Sequence, residues 1–79
     1  MSYAPLVESL VKGVVQHADQ VQIEEEMSGH TRTFIVRVAD EDVGKIIGKS
    51  GRVVSAIRCV VSAVAARDQE RAFVKIDTD

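Results

Sequence analysis

The chain has 79 residues, enough for one small domain spanning residues 1–79 and too few for two. Its hydrophobic fraction of 46% excludes wholesale disorder, and its single cysteine, Cys59, excludes an internal disulfide, as is common in the cytoplasm. The formal net charge of −2 argues at first against a nucleic-acid partner, and no apolar run reaches the roughly 20 residues of a membrane span.

The first half of the chain predicts one helix followed by two strands. Apolar residues recur at helical spacing over residues 4–18 and predict an amphipathic helix. Residues 21–27 and 31–38 alternate between apolar and polar with a period of two, which is typical of half-buried strands. Residues 28–30, Ser-Gly-His, are suited to the hairpin turn between those strands.

The second half predicts two helices and a third strand. Residues 39–47 predict a short helix with Asp40 as its N-cap. Residues 51–68 contain many β-branched side chains that favour a strand, but their spacing and length favour a helix. Residues 71–77 alternate again and predict a strand. The core face expected for the long helix comprises Val53, Val54, Ile57, Val60, Val61 and Val64.

The resulting order is helix, strand, strand, helix, helix, strand. Three strands and three helices in this order predict an α+β fold, in which the sheet forms one layer and the helices form the other. We therefore expect a two-layer sandwich in which the GKSG segment, residues 48–51, joins two helices.

The basic residues are concentrated in one part of the chain. Residues 43–67 contain five basic residues and no acidic ones, whereas the rest of the chain has a charge balance of −7. Such segregation creates a local positive field on an acidic body, which favours an anionic partner. Solvated helix faces also carry arginines routinely, so ordinary surface charge remains an alternative. The five residues are Lys45, Lys49, Arg52, Arg58 and Arg67.

The GKSG segment resembles a nucleotide-binding P-loop only superficially. A P-loop has a glycine, four further residues and then Gly-Lys-Ser or Gly-Lys-Thr, and it follows a buried strand. Here only three residues separate Gly44 from Gly48, and the preceding residues predict a helix. Both the spacing and the context argue against a nucleoside triphosphate site.

The same segment is suited to the phosphates of a nucleic-acid backbone. A tight turn between helices exposes the N-terminus of the second helix, whose free N–H groups attract anionic oxygens. Gly48 and Gly51 would let a sugar-phosphate backbone approach closely. Lys49 adds a mobile cation and Ser50 adds a hydroxyl donor. These residues predict contact with a run of phosphates.

The stretch VGKIIGKSGRVVSAIR resembles the signature of the KH domain, whose Gly-x-x-Gly loop clamps the backbone of single-stranded nucleic acid. Residues 47–51 match the motif, and Val54 and Ile57 match the apolar positions that follow it. The helix-first order resembles the type II form of the fold, in which two of the three strands run parallel. The likeness is greatest to the small, stand-alone bacterial KH proteins of the KhpA type.

This resemblance implies an RNA-binding protein of the cytoplasm, acting as an RNA chaperone or post-transcriptional regulator. It also implies a homodimer, or a heterodimer with a larger Jag-type KH protein. The positions that match the motif or supply nearby charge give the expected RNA-binding residues. They are Lys45, Ile47, Gly48, Lys49, Ser50, Gly51, Arg52, Val54 and Arg58.

Bases are expected to lie in an apolar groove beside the loop. The sequence has only three aromatic residues, so stacking on aromatic platforms is poorly supplied. The groove wall is expected from the two helices, although plain core is an equally good interpretation of each residue. The candidates are Val43, Ile46, Ile47 and Val54.

Small residues on the long helix suggest a second surface. Because small side chains let two helices approach closely and lose little entropy, this face is a candidate dimer interface. The alternative is that these residues only cover an exposed helix face. The face comprises Ser55, Cys59, Ser62, Ala63 and Ala66.

Catalysis has little support in the sequence. His17, His30 and Cys59 lack the spacing of metal ligands, and no histidine lies near Ser50 in the chain. We expect no enzymatic activity, no metal and no cofactor. The alternative function to RNA binding is a scaffold subunit of a KH-protein complex, in which RNA binding is secondary.

Overall fold

The computed structural model describes residues 3–77 and has the predicted order of elements. Short 3₁₀ turns at Ala18–Gln20, Asp40–Asp42 and Lys49–Gly51 separate some of them. The helices and strands are α1 (Ala4–Lys12), β1 (Gln22–Ser28), β2 (Thr31–Arg37), α2 (Val43–Ile47), α3 (Arg52–Arg67) and β3 (Arg71–Ile76). The predicted α+β sandwich of a three-stranded sheet and three helices is confirmed.

The sheet has the strand order β1-β2-β3 and is mixed. β1 and β2 pair antiparallel across the two-residue turn Gly29–His30, where Gly29 has a φ of 61°. β2 and β3 pair in parallel, with Thr31 opposite Arg71. Because one antiparallel and one parallel pair are present, the type II KH topology expected from the sequence is confirmed.

The core lies between the inner face of the sheet and the three helices. Along β2 every second side chain is buried, which is the expected pattern for a sheet covered on one face. α1 contributes Val7 and Val11, both fully buried, and α2 contributes Ile46. The other buried core residues include Phe34, Val36, Ile57, Val61, Ala65, Ala72 and Val74.

The predicted core face of α3 is partly wrong. Val54, Ile57 and Val61 are buried as expected, but Val60 is 43% exposed and Ala65 is buried instead. Val60 lies seven residues, about two helical turns, after Val53. Both side chains therefore point towards the edge of the buried face of α3. The buried face of α3 includes fewer valines than the sequence predicted, because the sheet covers only one side of the helix.

Two predicted helix ends also differ. α1 ends at Lys12, well short of residue 18, because Gly13 caps it and the chain then turns away. Asp40 lies in a 3₁₀ turn and makes no side-chain cap to α2, so the predicted cap is wrong. The carboxylate that matters near α2 belongs to Asp42, which lies two residues later.

A network of charged groups closes the end of the molecule at the C-terminus of α3. The Arg32 guanidinium is buried and pairs with Glu25 at 2.7 Å and with Glu70 at 3.1 Å. The guanidinium lies 5.0 Å from the ring centre of Tyr3, whose hydroxyl donates to Asp68 and Glu70. We call these five residues the Arg32 network.

Hydrogen bonding shifts the titration of this network. Burial would lower the pKa of Arg32 and raise that of Glu70. The hydrogen bond between them outweighs burial at both groups, together with the bond that Arg32 donates to Glu25 and the one that Tyr3 donates to Glu70. The pKa of Glu70 is therefore below its usual value and that of Arg32 above it. Donation to Asp68, then burial, raises the pKa of Tyr3, so the phenol stays protonated.

Candidate nucleic-acid interface

The turn between α2 and α3 is built by Gly48–Gly51, which we call the glycine loop. α2 ends at Ile47, and the Gly48 N–H donates to the Gly44 carbonyl at 2.9 Å to close its last turn. The Gly51 N–H then donates to the Gly48 carbonyl at 3.3 Å. The loop therefore ends α2 and begins α3 within four residues.

Three of the four loop residues have a positive φ. Gly48 has φ 75° and ψ 178°, a conformation that is essentially restricted to glycine. A Cβ at Gly48 would also overlap the Val53 side chain and lie 2.9 Å from the Val53 nitrogen. Ser50 and Gly51 are left-handed with φ of 58° and 75°, but a Cβ at Gly51 would meet nothing. Glycine is therefore required at position 48 both by the backbone conformation and by the lack of room for a side chain. At position 51 it is required by the backbone conformation alone.

The glycine loop leads into the N-terminus of α3, where the Arg52 N–H donates to the Lys49 carbonyl. Gly51 is the N-cap, no side chain caps the helix, and the first turn contains no acidic residue. The first N–H groups of a helix have no partner within that helix and carry a partial positive charge. At this 16-residue helix the position is suited to an anionic oxygen.

Basic side chains surround this helix end. Lys49 and Arg52 are exposed and take part in no ion pair among residues 3–77. Lys45 lies 3.6 Å from a carboxylate oxygen of Asp42, at the start of α2. Arg58 extends to the edge of the sheet, where its Nε donates to the Val74 carbonyl at 3.0 Å. Positive charge thus continues from the loop along α3 towards β3.

A buried carboxylate connects the start of α2 to the segment that follows α1. Asp42 is fully buried, and its two oxygens accept the backbone N–H groups of Gln16 at 3.1 Å and His17 at 2.9 Å. Burial would raise the pKa of Asp42, but these two donors outweigh it and hold the pKa below its usual value. Nearby, His17 Nε2 lies 3.1 Å from Glu41. Asp42 therefore ties the end of the α1 region to the helix that carries the glycine loop.

The sequence profile of the KhpA/KhpB KH domain matches residues 4–76. The chain belongs to this family. Three relatives, each named RNA-binding protein KhpA, illustrate the likeness. The Clostridium acetobutylicum protein is 39% identical over 90% of this chain and 95% of its own. The Caldanaerobacter subterraneus protein is 42% identical over 90% and 95%, and the Leifsonia xyli protein is 40% identical over 96% and 97%. No solved structure matches the chain significantly.

In this KhpA/KhpB-type KH domain, the residues expected at the RNA surface divide into two groups. The charged and loop residues from Lys45 to Arg52 are exposed or half-buried, and Arg58 is exposed at the sheet edge. Val54 is only 6% exposed and Ile46 is fully buried, so both belong to the core. Ile47 and Val43 are half-buried and remain accessible at the base of the loop.

The small residues of α3 are all exposed, but they do not form one free face. The Ser62 hydroxyl is 3.4 Å from the Ala72 carbonyl, so Ser62 faces the β3 edge. Ser55, Cys59 and Ala63 point away from the core and are open to solvent. The structure neither pairs this face with anything nor blocks it.

Sequence patterns missed a different apolar surface between α1 and α3. A groove of about 330 Å³ lies there, with almost no polar atoms at its surface. Val60 lines this groove, and its side chain is exposed there. The lining residues are Leu10, Val14, Arg52, Val53, Ala56, Ile57 and Val60. Because the run of valines in α3 predicted a broad core face, the sequence did not predict this groove.

Two further negative findings concern the described residues. Between residues 3 and 77, no group of three His, Cys, Asp or Glu side chains is placed to hold a metal ion. Over the same residues, every helix is too short or too polar to cross a lipid bilayer.

Proposed function

We propose that this KH domain binds single-stranded RNA by clamping the sugar-phosphate backbone with the glycine loop. The observation that carries the proposal is the N-terminus of α3, which no side chain caps and beside which Lys49 and Arg52 are exposed. Phosphate oxygens would accept hydrogen bonds from the side chains of Lys49 and Ser50 and from N–H groups of the first turn of α3 beyond Arg52. The names of the KhpA relatives, which state RNA binding, support the same function.

Single-stranded RNA is the substrate that this geometry favours. Unstacked bases next to the clamped phosphates could turn towards Ile47 and the edge of β3, whereas the bases of a duplex are held inside the helix. Because the loop contacts only backbone, sequence preference should be shallow and the affinity of one domain weak. We assign to the chain the role of an RNA chaperone or post-transcriptional regulator, acting in the cytoplasm as a single KH domain.

A binding module needs neither a cofactor nor a catalytic group. The acidic residues near the interface have structural partners, as Asp42 does with the backbone of Gln16 and His17. We therefore propose that the chain is not an enzyme and that its partner is the RNA itself.

The test is to reverse the charge of the loop. Lys49 and Ser50 are exposed, so replacing both with Asp should change stability by no more than about 0.5 kcal/mol per site. The new carboxylates would repel phosphate at the helix N-terminus, and gel-shift binding of single-stranded RNA should be lost. Circular dichroism would verify the fold.

A matched control adds carboxylates outside the glycine loop and the β3 edge. Ser9→Asp with Gln20→Asp changes two exposed residues, one on α1 and one in the 3₁₀ turn before β1. This control should bind RNA nearly as well as the unmodified chain. Equal binding by the folded loop variant and the control would refute the role of the glycine loop.

A second candidate function is that of an interaction subunit, and the apolar groove between α1 and α3 favours it. We propose that the chain associates through α3, as a homodimer or with a larger Jag-type KH protein, as the KH resemblance implies. Two loops presented together would also raise the apparent affinity for RNA through effective concentration. Two faces of α3 compete for this role: the small residues from Ser55 to Ala66, and the groove at Val60.

Matched glutamate substitutions separate the two faces. Ala63→Glu places a charge on the small-residue face, and Val60→Glu places one at the apolar groove. Sedimentation of the unmodified chain should show a dimer at high concentration, and only the variant at the true interface should sediment as a monomer. A monomeric unmodified chain would leave pairing with a different KH protein as the remaining form of this proposal.

A further inference from the structure

Phe73 is an aromatic side chain that the fold leaves about half exposed. Of the three aromatic residues in the chain, Tyr3 and Phe34 are buried, whereas Phe73 is 52% exposed. Along β3 its neighbours Ala72 and Val74 are buried, so Phe73 points to the open face of the sheet. Its cross-strand neighbour on that face is Thr33. A phenyl ring in this position makes little contribution to the core.

The ring lies in a groove that continues around the edge of β3. The groove has a volume of about 620 Å³ and is open to solvent. One wall is formed by Arg58 and Ser62 of α3, and the other by side chains on the open face of the sheet. The sheet side of the lining includes Glu26, Thr33, Phe73 and Lys75.

Cations flank the ring on both sides along the strand. Arg71 and Lys75 share the open face with Phe73, each about 7 Å away along β3. Both are exposed, and neither has an ion pair within residues 3–77. The acidic side chain in this groove, Glu26, lies on β1, two strands away from Phe73. A polyanion in the groove would therefore lie against the β3 edge, away from Glu26.

The groove is also continuous with the glycine loop. α3 runs antiparallel to β3, since Arg58 bonds to Val74 and Ser62 lies against Ala72. Arg58 lies about 9 Å along α3 from Arg52 at the loop. With Nε bonded to Val74, the terminal nitrogens of its guanidinium remain available for phosphate.

We propose that Phe73 is a stacking platform for a nucleobase, at the end of an RNA path that runs from the glycine loop past Arg58. A base on the phenyl ring would place its flanking phosphates near Lys75 and Arg71. Stacking is tolerant of base identity because every base has a π-face, so the platform adds affinity and a longer footprint with little sequence preference. This inference rests on the proposed RNA-binding function and extends it beyond the loop.

Truncating the ring tests the platform directly. Phe73→Ala should weaken the binding of oligouridylate by about tenfold, the usual scale for loss of one base–aromatic stack. Met27→Ala is the matched control, because Met27 is 57% exposed on β1, outside this groove. The control should bind as the unmodified chain does, and circular dichroism should show both variants folded.

A spectroscopic readout distinguishes stacking from a general structural effect. The chain contains no tryptophan, so Phe73→Trp introduces a single indole at the platform. Oligouridylate should quench its fluorescence, whereas the same oligomer carrying abasic residues should bind through its phosphates without quenching.

The outcomes separate this proposal from the loop proposal. Unchanged affinity for Phe73→Ala, with binding still lost on reversing the loop charge, overturns the platform and leaves the loop in place. A lowered sedimenting mass for Phe73→Ala at unchanged RNA affinity also overturns it, in favour of a protein contact. No RNA binding by the unmodified chain overturns both proposals.

Discussion

The charged groups named at the two ends of α3 differ in whether they have partners within the fold. At the C-terminal end, Arg32 is buried between Glu25 and Glu70, and each charge has a partner. At the N-terminal end, about 24 Å away along the helix, Lys49 and Arg52 are exposed and have no carboxylate partner among residues 3–77. Charges that pair within the fold stabilise it, whereas Lys49 and Arg52 are available to an external anion.

The largest expected effect on stability belongs to the Arg32 network. Arg32→Met would leave the carboxylates of Glu25 and Glu70 without their shared partner, and breaking a buried ion pair from one side is strongly destabilising. We expect the greatest fall in Tm among the variants considered, with RNA affinity unchanged at temperatures where the protein is folded. Lys49→Met is the counterpart at the other end and should reverse this pattern.

Thermal unfolding and gel-shift titration of both variants would check the comparison. Lys49→Met should change the free energy of unfolding by no more than about 0.5 kcal/mol, as for most surface changes, while weakening RNA binding. If Arg32→Met weakened RNA binding as much as Lys49→Met in the folded state, the division between the two ends would be wrong.

The glycine loop contains the next largest structural effect. Gly48→Ala should lower the free energy of unfolding by about 3 kcal/mol, from an unfavourable φ and from overlap with Val53. Gly51→Ala should cost only about 1 kcal/mol, because it has the unfavourable φ but open space. Chemical denaturation of both variants measures the difference, and equal losses would contradict the assigned role of Val53.

Lowering the pH should reduce the free energy of unfolding through carboxylates near both ends of α3. The folded pKa values of Asp42 and Glu70 lie below their usual values, so each carboxylate contributes stability that is present at neutral pH. That contribution is lost as the pH falls below about 4, where the unfolded chain takes up protons first. Denaturation at a series of pH values should show this decline.

Asp42→Asn tests how much Asp42 alone contributes to the loss of stability in acid. An amide can accept one of the N–H groups of Gln16 and His17 but must turn its own NH₂ towards the other. The variant should be less stable at pH 7 and less sensitive to acid than the unmodified chain. An unaltered pH profile would show that Asp42 does not titrate as its contacts require.

A smaller effect concerns the salt dependence of RNA binding. Removing one phosphate contact should reduce the slope of log affinity against log salt by roughly 0.7 for a single strand. Arg52→Gln should show this reduction, whereas Arg37→Gln should not, because Arg37 already pairs with Glu24 and Asp77. Equal slopes for both variants would contradict the distinction between paired and available cations.

The smallest effect is expected at Gly44, on the surface of α2. Its φ is not positive and a Cβ there would meet nothing, so Gly44→Ala should stabilise the helix by about 0.5–1 kcal/mol. If RNA affinity falls although stability rises, the RNA backbone approaches α2 at this glycine. Unchanged affinity would confine the close contact to the glycine loop.

Periodicity was sufficient to predict the elements and their order, because burial on one face leaves a repeating pattern. It failed where burial depends on partners distant in the sequence. Val60 continues the valine repeat of α3 but lies beyond the area that the sheet covers. Asp42 follows Asp40 and Glu41 in an ordinary acidic run, and only the tertiary fold brings Gln16 and His17 against it.

The candidate site shows the same limits. The Gly-Lys-Ser-Gly motif is local, so its turn between two helices could be predicted, as could the charge around it. The position of Arg58 at the β3 edge depends on how α3 crosses the sheet. Phe73 and Lys75 appear in the sequence only as the polar-facing half of a strand, and their place in a groove beside Arg58 is a property of the tertiary structure.

The parallel pairing of β2 with β3 has a consequence for the synthesis of this protein. Thr31 pairs with Arg71, and Arg32 pairs with Glu70, so the sheet and the Arg32 network both need residues 70–76. During translation the nascent chain can form local helices and the β1–β2 hairpin before β3 emerges. The proposed RNA groove, which includes the β3 edge, would therefore be assembled only after residues 71–76 have left the ribosome. A translation product that stops before residue 71 would carry the glycine loop without the proposed groove.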